Sequence, residues 1–301
     1  MKNFLRVLVF SLFALALNAQ AIDDFPMPDY GFTSSFQPLK NQEDLNLQTA
    51  LENELKTNKK LNRLIAQKKM AIGLVDLSNA NNPRFAQING DEMMYAASLP
   101  KIAILLAAMD ALEKGELQET PEVKKDMFLM INKSNNAAST RMIDRLGFEK
   151  IERVLTNPQY ALYDENNGGG LWVGKRYAAQ GKRYPDPLQG LSHAATATQV
   201  SRFYYLMFKG MLVCEDRSEQ MMELMANTGL HHKFINTLDK VAPEATVYRK
   251  SGSWSNFHSD SVMVMGPERK YILVGLAEDA GGEQIMRNLV HSVEEVLEIG
   301  E

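Results

Sequence analysis

The sequence predicts a mixed α+β fold in which one sheet is assembled from the two ends of the chain. Apolar runs of strand length occur early and late, whereas the middle carries longer patterns with helical spacing. Ten residues (251–260) and five residues (266–270) separate the three late runs, whereas a parallel connection needs about a dozen or more, so these strands must pair antiparallel. The two ends therefore form a sheet with helices, into which a helical part is inserted.

Each predicted strand is an apolar run bounded by turn residues. A turn cluster over 79–83 separates the two early strands, and Gly266-Pro267 closes the second of the late strands. The early strands are predicted over 70–77 and 84–88, and the late strands over 246–250, 261–265 and 271–276.

The predicted helices follow from their spacing and from the Gly and Pro residues that start or stop them. One amphipathic helix spans 43–68, and a helix over 98–114 is apolar almost all round, which predicts that it is buried. Further helices are predicted over 121–131, 134–146, 196–238 and 282–297. Residues 156–192 are rich in Gly and Pro and are predicted to form a long loop of functional or disordered character.

The start of the chain predicts a secretory signal peptide over residues 1–21. A positively charged start precedes an uncharged apolar run over 7–17, and Ala19-Gln20-Ala21 is a small-x-small cleavage site. The apolar run is too short for a membrane span, so we expect a periplasmic protein with no span after cleavage. The alternative is an uncleaved N-terminal anchor. The remaining chain is expected to form a discontinuous sheet-plus-helix domain, 22–97 with 240–301, and a helical domain, 98–239.

Composition excludes several classes of function. With 45% apolar residues and a net charge of −4, the chain can bury a large core but carries no basic surface for nucleic acid. The single cysteine, Cys214, allows no internal disulfide. His231 and His232 are adjacent and point apart, so we expect no metal, and no pattern indicates a cofactor. The oligomeric state is not predicted by any of these patterns.

A candidate nucleophile lies at the start of the buried helix, in Ser98-Leu99-Pro100-Lys101. Proline fits only in the first turn of a helix, which places Ser98 at the helix start and Lys101 one turn later on the same face. Free backbone N–H groups there could stabilise an oxyanion, and a partly desolvated lysine could take the serine proton. Taken alone, the same residues also fit an N-cap serine with a surface lysine.

Two further polar motifs could complete such a site. Ser134-Asn135-Asn136 follows the helix that starts at Pro121, where Ser134 could relay a proton and Asn136 could bind a substrate amide. Lys250-Ser251-Gly252 ends a late strand, where it offers a cation and a hydroxyl for a carboxylate, and the glycine allows close backbone approach. Taken alone, Ser134-Asn135-Asn136 is better explained as a polar turn or helix cap, and Lys250-Ser251-Gly252 as a solvated strand end.

Together, Ser-x-x-Lys, Ser-x-Asn and Lys-Ser-Gly occur in the order found in the penicillin-recognising serine enzymes. The chain most closely resembles the class A serine β-lactamases, from the helix near residue 43 to the last helix. The resemblance implies a three-layer α/β/α fold, with a five-stranded antiparallel sheet flanked by helices and an all-helical domain.

The resemblance also implies a role for each matching residue. Ser98 corresponds to the acylated nucleophile, Lys101 to its proton acceptor and Ser134 to the proton shuttle. The substrate-binding residues implied are Asn136, Lys250, Ser251, Gly252 and Ser253, the last through a backbone N–H that forms an oxyanion hole with that of Ser98.

The chain departs from the family pattern at two places. Class A β-lactamases carry Glu-x-x-Leu-Asn in the loop that corresponds to 156–192, and this Glu activates the water that cleaves the acyl-enzyme. That motif is absent, and the nearest acid is Glu165, a candidate hydrolytic base that also fits a solvated loop acid. The substrate-binding Arg expected on the strand after Lys-Ser-Gly is also missing, and His258, a surface residue by pattern, lies in that vicinity.

Three functions follow from these observations. The first is a β-lactamase that forms an acyl-enzyme with β-lactam antibiotics at Ser98 and hydrolyses it. The missing loop Glu motivates the second, a D-alanyl-D-alanine carboxypeptidase or transpeptidase that acts on peptidoglycan peptides. The third is a penicillin-binding sensor or scaffold that stays acylated.

Overall fold

The structure is a computed structural model that describes residues 37–298. The predicted signal peptide, and the periplasmic location inferred from it, depend on residues 1–21, which lie outside the described residues. Within 37–298, no helix combines the length and the apolar character needed to cross a bilayer.

Ten strands form the sheets of the described chain. They are β1 (Met70–Asp76), β2 (Arg84–Ile88), β3 (Met94–Tyr95), β4 (Tyr163–Asp164), β5 (Gly169–Gly170), β6 (Trp172–Val173), β7 (His193–Ala195), β8 (Thr246–Trp254), β9 (Phe257–Met265) and β10 (Lys270–Glu278). The main sheet has five strands in the order β2-β1-β10-β9-β8. All its pairs are antiparallel, and β1 pairs with β10, so the sheet joins the two ends of the chain as the sequence predicts.

Ten α-helices occur within residues 37–298. They are α1 (Leu45–Thr57), α2 (Lys59–Ala66), α3 (Lys101–Glu113), α4 (Pro121–Asn132), α5 (Asn136–Leu146), α6 (Phe148–Leu155), α7 (Ala197–Phe208), α8 (Glu215–Met225), α9 (Phe234–Val241) and α10 (Gly282–Val296).

Helices cover both faces of the main sheet, because side chains of each strand alternate between the faces. Met70, Ile72 and Leu74 of β1 join a core with apolar residues of α1, α2, α9 and α10. The opposite face of β1 packs against α7, so closely that a Cβ on Gly73 would lie 2.2 Å from Ser201 Oγ. The predicted three-layer α/β/α fold is confirmed.

Several element boundaries differ from those predicted. The helix predicted over 43–68 is two helices, since Asn58 is extended and its side chain accepts hydrogen bonds from the first N–H groups of α2. Helix α6, which buries Ile151, Val154 and Leu155, was not predicted. The predicted loop over 156–192 contains β4, β5 and β6, and β6 pairs with β7.

The division into a sheet-plus-helix domain and a helical domain stays a prediction. Helix α7 lies within the range 98–239 assigned to the helical domain, and it packs directly on β1 and β10 of the sheet. Helix α9 continues past residue 239 into the range assigned to the other domain.

Candidate active site

Lys101 connects the first turn of α3 to the turn that precedes α5. Its side chain is fully buried. The ammonium nitrogen Nζ lies 2.6 Å from the Ser134 carbonyl oxygen, 2.8 Å from Asn136 Oδ1 and 3.3 Å from Ser134 Oγ. Burial lowers the pKa of Lys101 to about 7, so a large fraction of this lysine is neutral at neutral pH. The structure thus brings together three of the residues that the sequence analysis selected.

Lys250 approaches the same serine from β8. Its Nζ lies 2.9 Å from Ser134 Oγ and 2.7 Å from the carbonyl oxygen of Ser251. Burial, and after it the charge of Lys101, hold the pKa of Lys250 well below its usual range. The Ser134 hydroxyl therefore lies between two buried amines. The backbone at Ser134 has φ 52°, a left-handed conformation that brings its hydroxyl into this turn.

Ser98 lies in a turn that leads into α3, and its side chain is partly buried. The helix begins at Lys101, three residues later than predicted, because a 3₁₀-type turn precedes it, with the Lys101 N–H donating to the Ser98 carbonyl at 3.3 Å. Within residues 37–298, the hydroxyl and the N–H of Ser98 have no hydrogen-bond partner. Both groups are free to act on a ligand, and the hydrogen bonds of the Lys101 ammonium within residues 37–298 go to Ser134 and Asn136 rather than to Ser98.

Gly252 packs β8 against the turn that carries Ser98. A Cβ on Gly252 would lie 2.4 Å from the Ala96 carbonyl oxygen and 2.5 Å from the Ser98 nitrogen. The sequence predicts close approach of a substrate at this glycine, whereas the structure shows close approach of the protein's own backbone. On either side of it, Ser251 is buried and Ser253 is exposed.

Tyr177, a residue of the long loop over 156–192, also contributes to the site although it was not among the predicted site residues. The centre of its ring lies 4.5 Å from Lys101 Nζ, and its hydroxyl donates to the Ala97 carbonyl oxygen at 3.2 Å. Burial raises the pKa of Tyr177 well above its usual value, so the phenol stays protonated. A lone tyrosine in a Gly-rich and Pro-rich segment has no sequence signal that would mark this role.

His193 of β7 packs beneath Tyr177, with 4.3 Å between the two ring centres. Burial lowers the pKa of His193 to about 4, so its ring is neutral at neutral pH. Its Nε2 lies 3.0 Å from the Lys175 carbonyl oxygen, and its Nδ1 lies 3.2 Å from Ser192 Oγ. Both ring nitrogens are thus occupied, and we assign His193 to the support of Tyr177.

The structure does not bring Glu165 to this cluster. Glu165 is exposed at the start of a short 3₁₀ turn, and within residues 37–298 it forms no hydrogen bond or ion pair with Ser98 or Lys101. The same turn lies beside Asp91, whose carbonyl oxygen would be 2.4 Å from a Cβ on Gly168. As a hydrolytic base, Glu165 stays a prediction without support from a contact.

His258, the residue near the missing arginine, lies opposite Ser253 in the pairing of β8 with β9. Its ring is partly buried against Gly282, at the start of α10. No group of three or more His, Cys, Asp or Glu side chains that could hold a metal ion occurs among the residues that the structure describes.

An open cleft of about 790 Å³ adjoins the lysine cluster at Asn136 and Tyr177. Aromatic side chains contribute much of its wall, among them Tyr95, Phe257 and the largely exposed Trp254. The cleft is large enough for a ligand of small-molecule size.

A sequence profile of the β-lactamase enzyme family matches residues 56–128 and 121–293. Together these ranges cover most of the chain, and they include every residue of the candidate active site described above. The chain belongs to the β-lactamase enzyme family. A search of curated proteins finds no match.

Several solved structures share the fold of the chain. A β-lactamase from Sphaerobacter thermophilus is 15% identical with a TM-score of 0.63, covering 84% of this chain and 99% of its own. PBP-A is 20% identical with a TM-score of 0.62, covering 88% of this chain and 99% of its own. A PBP-A variant solved as an acyl-enzyme complex with penicillin G is 18% identical with a TM-score of 0.62, covering 87% and 99%. At these identities the likeness shows the fold alone.

Proposed function

We propose that the protein is a serine hydrolase that forms an acyl-enzyme at Ser98 with β-lactam antibiotics and then hydrolyses it. The observation that carries this proposal is the Ser134 hydroxyl, held 3.3 Å from Lys101 Nζ and 2.9 Å from Lys250 Nζ. Two buried amines share one hydroxyl, and one of these amines belongs to Lys101, whose backbone N–H donates to the carbonyl oxygen of the nucleophile candidate Ser98; together they offer a route for a proton. A hydrogen-bond cluster that only stabilises the fold does not require a path for proton transfer.

Acylation begins when neutral Lys101 takes the proton of the Ser98 hydroxyl and Oγ attacks the lactam carbonyl carbon. The free N–H of Ser98, with that of Ser253, stabilises the negative charge that develops on the carbonyl oxygen. The carbon–nitrogen bond then breaks, and the Ser134 hydroxyl donates a proton to the leaving nitrogen. Lys101 returns its proton to Ser134 through the same contact. The carboxylate of the ligand binds Lys250 and Ser251.

Deacylation requires water to attack the Ser98 ester, after which the carbon–oxygen bond breaks and a proton returns to Ser98 Oγ. The groups that contact Lys101 Nζ within residues 37–298 are neutral, namely two serine oxygens, one amide oxygen and the Tyr177 ring. We therefore assign the activation of this water to Lys101 itself, and we expect the step to be slow.

Intact-mass spectrometry after mixing with benzylpenicillin tests the proposal. We expect a mass increase of one penicillin that disappears with time, together with turnover of a chromogenic cephalosporin. Ser98→Ala should abolish the adduct, whereas Ser139→Ala, at a buried serine of α5, should retain it. No adduct, or an adduct that survives Ser98→Ala, would contradict the assignment of Ser98.

A second candidate is a D-alanyl-D-alanine carboxypeptidase or transpeptidase that acts on peptidoglycan peptides. The specific observation in its favour is that an aromatic ring, and no carboxylate, lies over Lys101. An enzyme of this kind is acylated by penicillin but releases it slowly. A penicillin adduct that persists for hours, with release of D-alanine from a peptide ending in D-alanyl-D-alanine, would favour this candidate. A persistent adduct without peptidase activity would leave the third function, a sensor or scaffold.

A further inference from the structure

The open cleft beside Asn136 carries positive charge on one part of its wall. Among the cleft-lining residues that the structure describes, Lys175 and Arg176 are basic, and none is Asp or Glu. Both belong to a short segment, 175–183, that holds four Lys or Arg residues and no acid. The net charge of the chain is −4, so this segment is opposite in sign to the protein as a whole and favours an anionic group in the cleft.

Lys175 is the residue of this wall whose charge is unpaired. The Arg176 guanidinium is balanced by Asp144, with 2.6 Å between Nε and the carboxylate oxygen. Lys175 Nζ instead donates to the Ala179 carbonyl oxygen at 3.3 Å, and it forms no ion pair among residues 37–298. Ala179 also lines the cleft, so this hydrogen bond places the ammonium at the cleft wall.

The charge of Lys175 is also felt at His193, another residue of the cleft wall. Burial is the main cause of the low pKa of His193, and the charges of Lys101 and Lys175 lower it further. Because such an effect weakens with distance, the Lys175 ammonium lies on the side of the loop that faces the cleft.

Aromatic rings form another part of the cleft wall. Tyr95 and Phe257 meet edge to face, with 5.3 Å between the ring centres. Trp254, which pairs with Phe257 where β8 turns into β9, is 67% exposed. A large exposed ring at the edge of a cleft is a surface that a bound ligand can cover. The cleft thus offers apolar surface for a ring and a cation for an acid.

Asn136 indicates which part of a ligand enters this cleft. The sequence predicts that Asn136 binds the substrate amide, and the structure places the same residue in the cleft wall. In a penicillin this amide carries the acyl side chain, whereas the ring carboxylate is proposed to bind Lys250 and Ser251 on β8. The acyl side chain therefore extends from Asn136 into the cleft, towards Lys175.

We propose that the cleft is a specificity subsite for an acyl side chain that combines an aromatic ring with an anionic group, and that Lys175 selects the anion. The inference rests on the proposed function, because it requires acylation of Ser98 by a ligand with such a side chain. Lys175 changes the choice between ligands, while proton transfer stays with Lys101 and Ser134.

The test compares carbenicillin with benzylpenicillin. The two penicillins share the ring carboxylate and the phenyl ring, and carbenicillin has one additional carboxylate on the benzyl side chain. The acylation rate is measured for each by intact-mass spectrometry, and the ratio of the two rates reports the side-chain charge alone. We expect Lys175→Gln to lower the ratio of carbenicillin to benzylpenicillin by about fivefold, the order of effect of one solvent-facing charge. Lys175→Glu should lower it further, and Lys175→Arg should retain it.

Lys182→Gln provides the matched control. Lys182 belongs to the same basic segment and is exposed, but it lines a separate depression beside Gly147 and Phe148. Its replacement should leave the ratio unchanged. If Lys175→Gln and Lys175→Glu both leave the ratio unchanged, or if Lys182→Gln lowers it equally, the inference is overturned.

Ionic strength provides a measurement on the wild-type protein. Because the cleft is open to solvent, raising the salt concentration from about 0.05 M to about 0.5 M should lower the ratio by about threefold through screening. A ratio that does not change with salt overturns selection by charge. Failure of both penicillins to acylate Ser98 overturns the proposed function instead, whereas acylation with a constant ratio overturns this inference alone.

Discussion

Two regions of the molecule bury charged side chains in opposite ways. Between α4 and α5, Asp126 is 5% exposed and is paired with Arg141 and Arg145, the latter at 2.6 Å. Hydrogen bonding to Arg141 and Arg145 holds the pKa of this carboxyl below its usual value. In the candidate active site, buried Lys101 has only neutral partners, and burial lowers its pKa to about 7.

In this fold, the partners of a buried charged side chain distinguish a charge that stabilises the structure from one that can take part in binding or catalysis. Where an acid and its cations contact each other, the protein itself completes the charge balance and the ionised state is fixed near neutral pH. Where buried amines contact only neutral oxygens, the protonation state can change at neutral pH, and the balance is left for a ligand to complete.

Replacement of Lys101 by arginine should break the site most severely. Arginine stays protonated and cannot accept the Ser98 proton, so acylation by benzylpenicillin should fall by about a thousandfold, within the usual range for loss of a general base. Lys150→Arg is the control, because Lys150 is buried but contacts the carboxylates of Asp110 and Glu116, both at 2.5 Å. Acylation by Lys101→Arg at more than a tenth of the wild-type rate would show that another group is the base.

Removal of the Asp126 carboxylate, which is paired with Arg141 and Arg145, should lower stability and leave acylation unchanged. Asp126→Asn should reduce the free energy of unfolding by about 2 kcal/mol, since hydrogen bonds to charged groups are lost, while the acylation rate stays unchanged. Urea unfolding at neutral pH measures the loss. Because the folded-state pKa of Asp126 is lowered, its stabilisation is present above about pH 4 and is lost as the pH falls further. The variant should therefore lose less stability on acidification than the wild type, and an altered acylation rate would contradict the separation of the two regions.

Tyr177 can be tested as the group that keeps water from Lys101. Tyr177→Ala should shorten the lifetime of the penicillin adduct by about tenfold, because it removes the ring over Lys101 Nζ and opens the ester to solvent. Tyr177→Phe keeps the ring and loses only the hydrogen bond to Ala97, so the adduct should persist as in the wild type. Equal lifetimes for the wild type and Tyr177→Ala, followed by intact mass, would exclude this role.

The smallest expected effect is that of pH on acylation. Neutral Lys101 is the reactive form and its pKa is about 7, so the acylation rate should rise by about threefold between about pH 6.5 and pH 7.5. Stopped-flow measurement of kcat/KM across this interval gives the inflection. The Asp126→Asn variant should show the same profile, and a wild-type rate that is flat over this interval would contradict a proton acceptor with this pKa.

The sequence predicts the fold well because its evidence is local. Apolar runs, turn residues and the proline before α3 indicate the individual strands and helices directly. The order of the three motifs indicates the family, and the family resemblance implies the five-stranded antiparallel sheet. The break at Asn58 could not be anticipated in the same way, since the helical spacing of the leucines continues on both sides of it. Its extended backbone depends on a side-chain cap that competes with the helix.

The candidate site is only partly accessible to the same reasoning. Ser98, Lys101, Ser134 and Lys250 are marked by short motifs, and the structure places the two lysines on one serine hydroxyl. Tyr177 belongs to no motif, and it reaches the site through the geometry of the loop over 156–192. Contacts of this kind are settled by tertiary structure, which composition and spacing do not encode.

The pairing of β1 with β10 has a consequence for how the protein matures. Ser98 and Lys101 follow the first strands of the sheet, whereas Lys250 lies on β8 near the other end of the chain, so the site does not exist until the last strands have joined the first. Such long-range pairing makes folding slow, because loop closure precedes the contacts that reward it. Covalent labelling of Ser98 by penicillin would therefore occur only in fully folded molecules. The rate at which labelling becomes possible during refolding would measure the rate at which β10 pairs with β1.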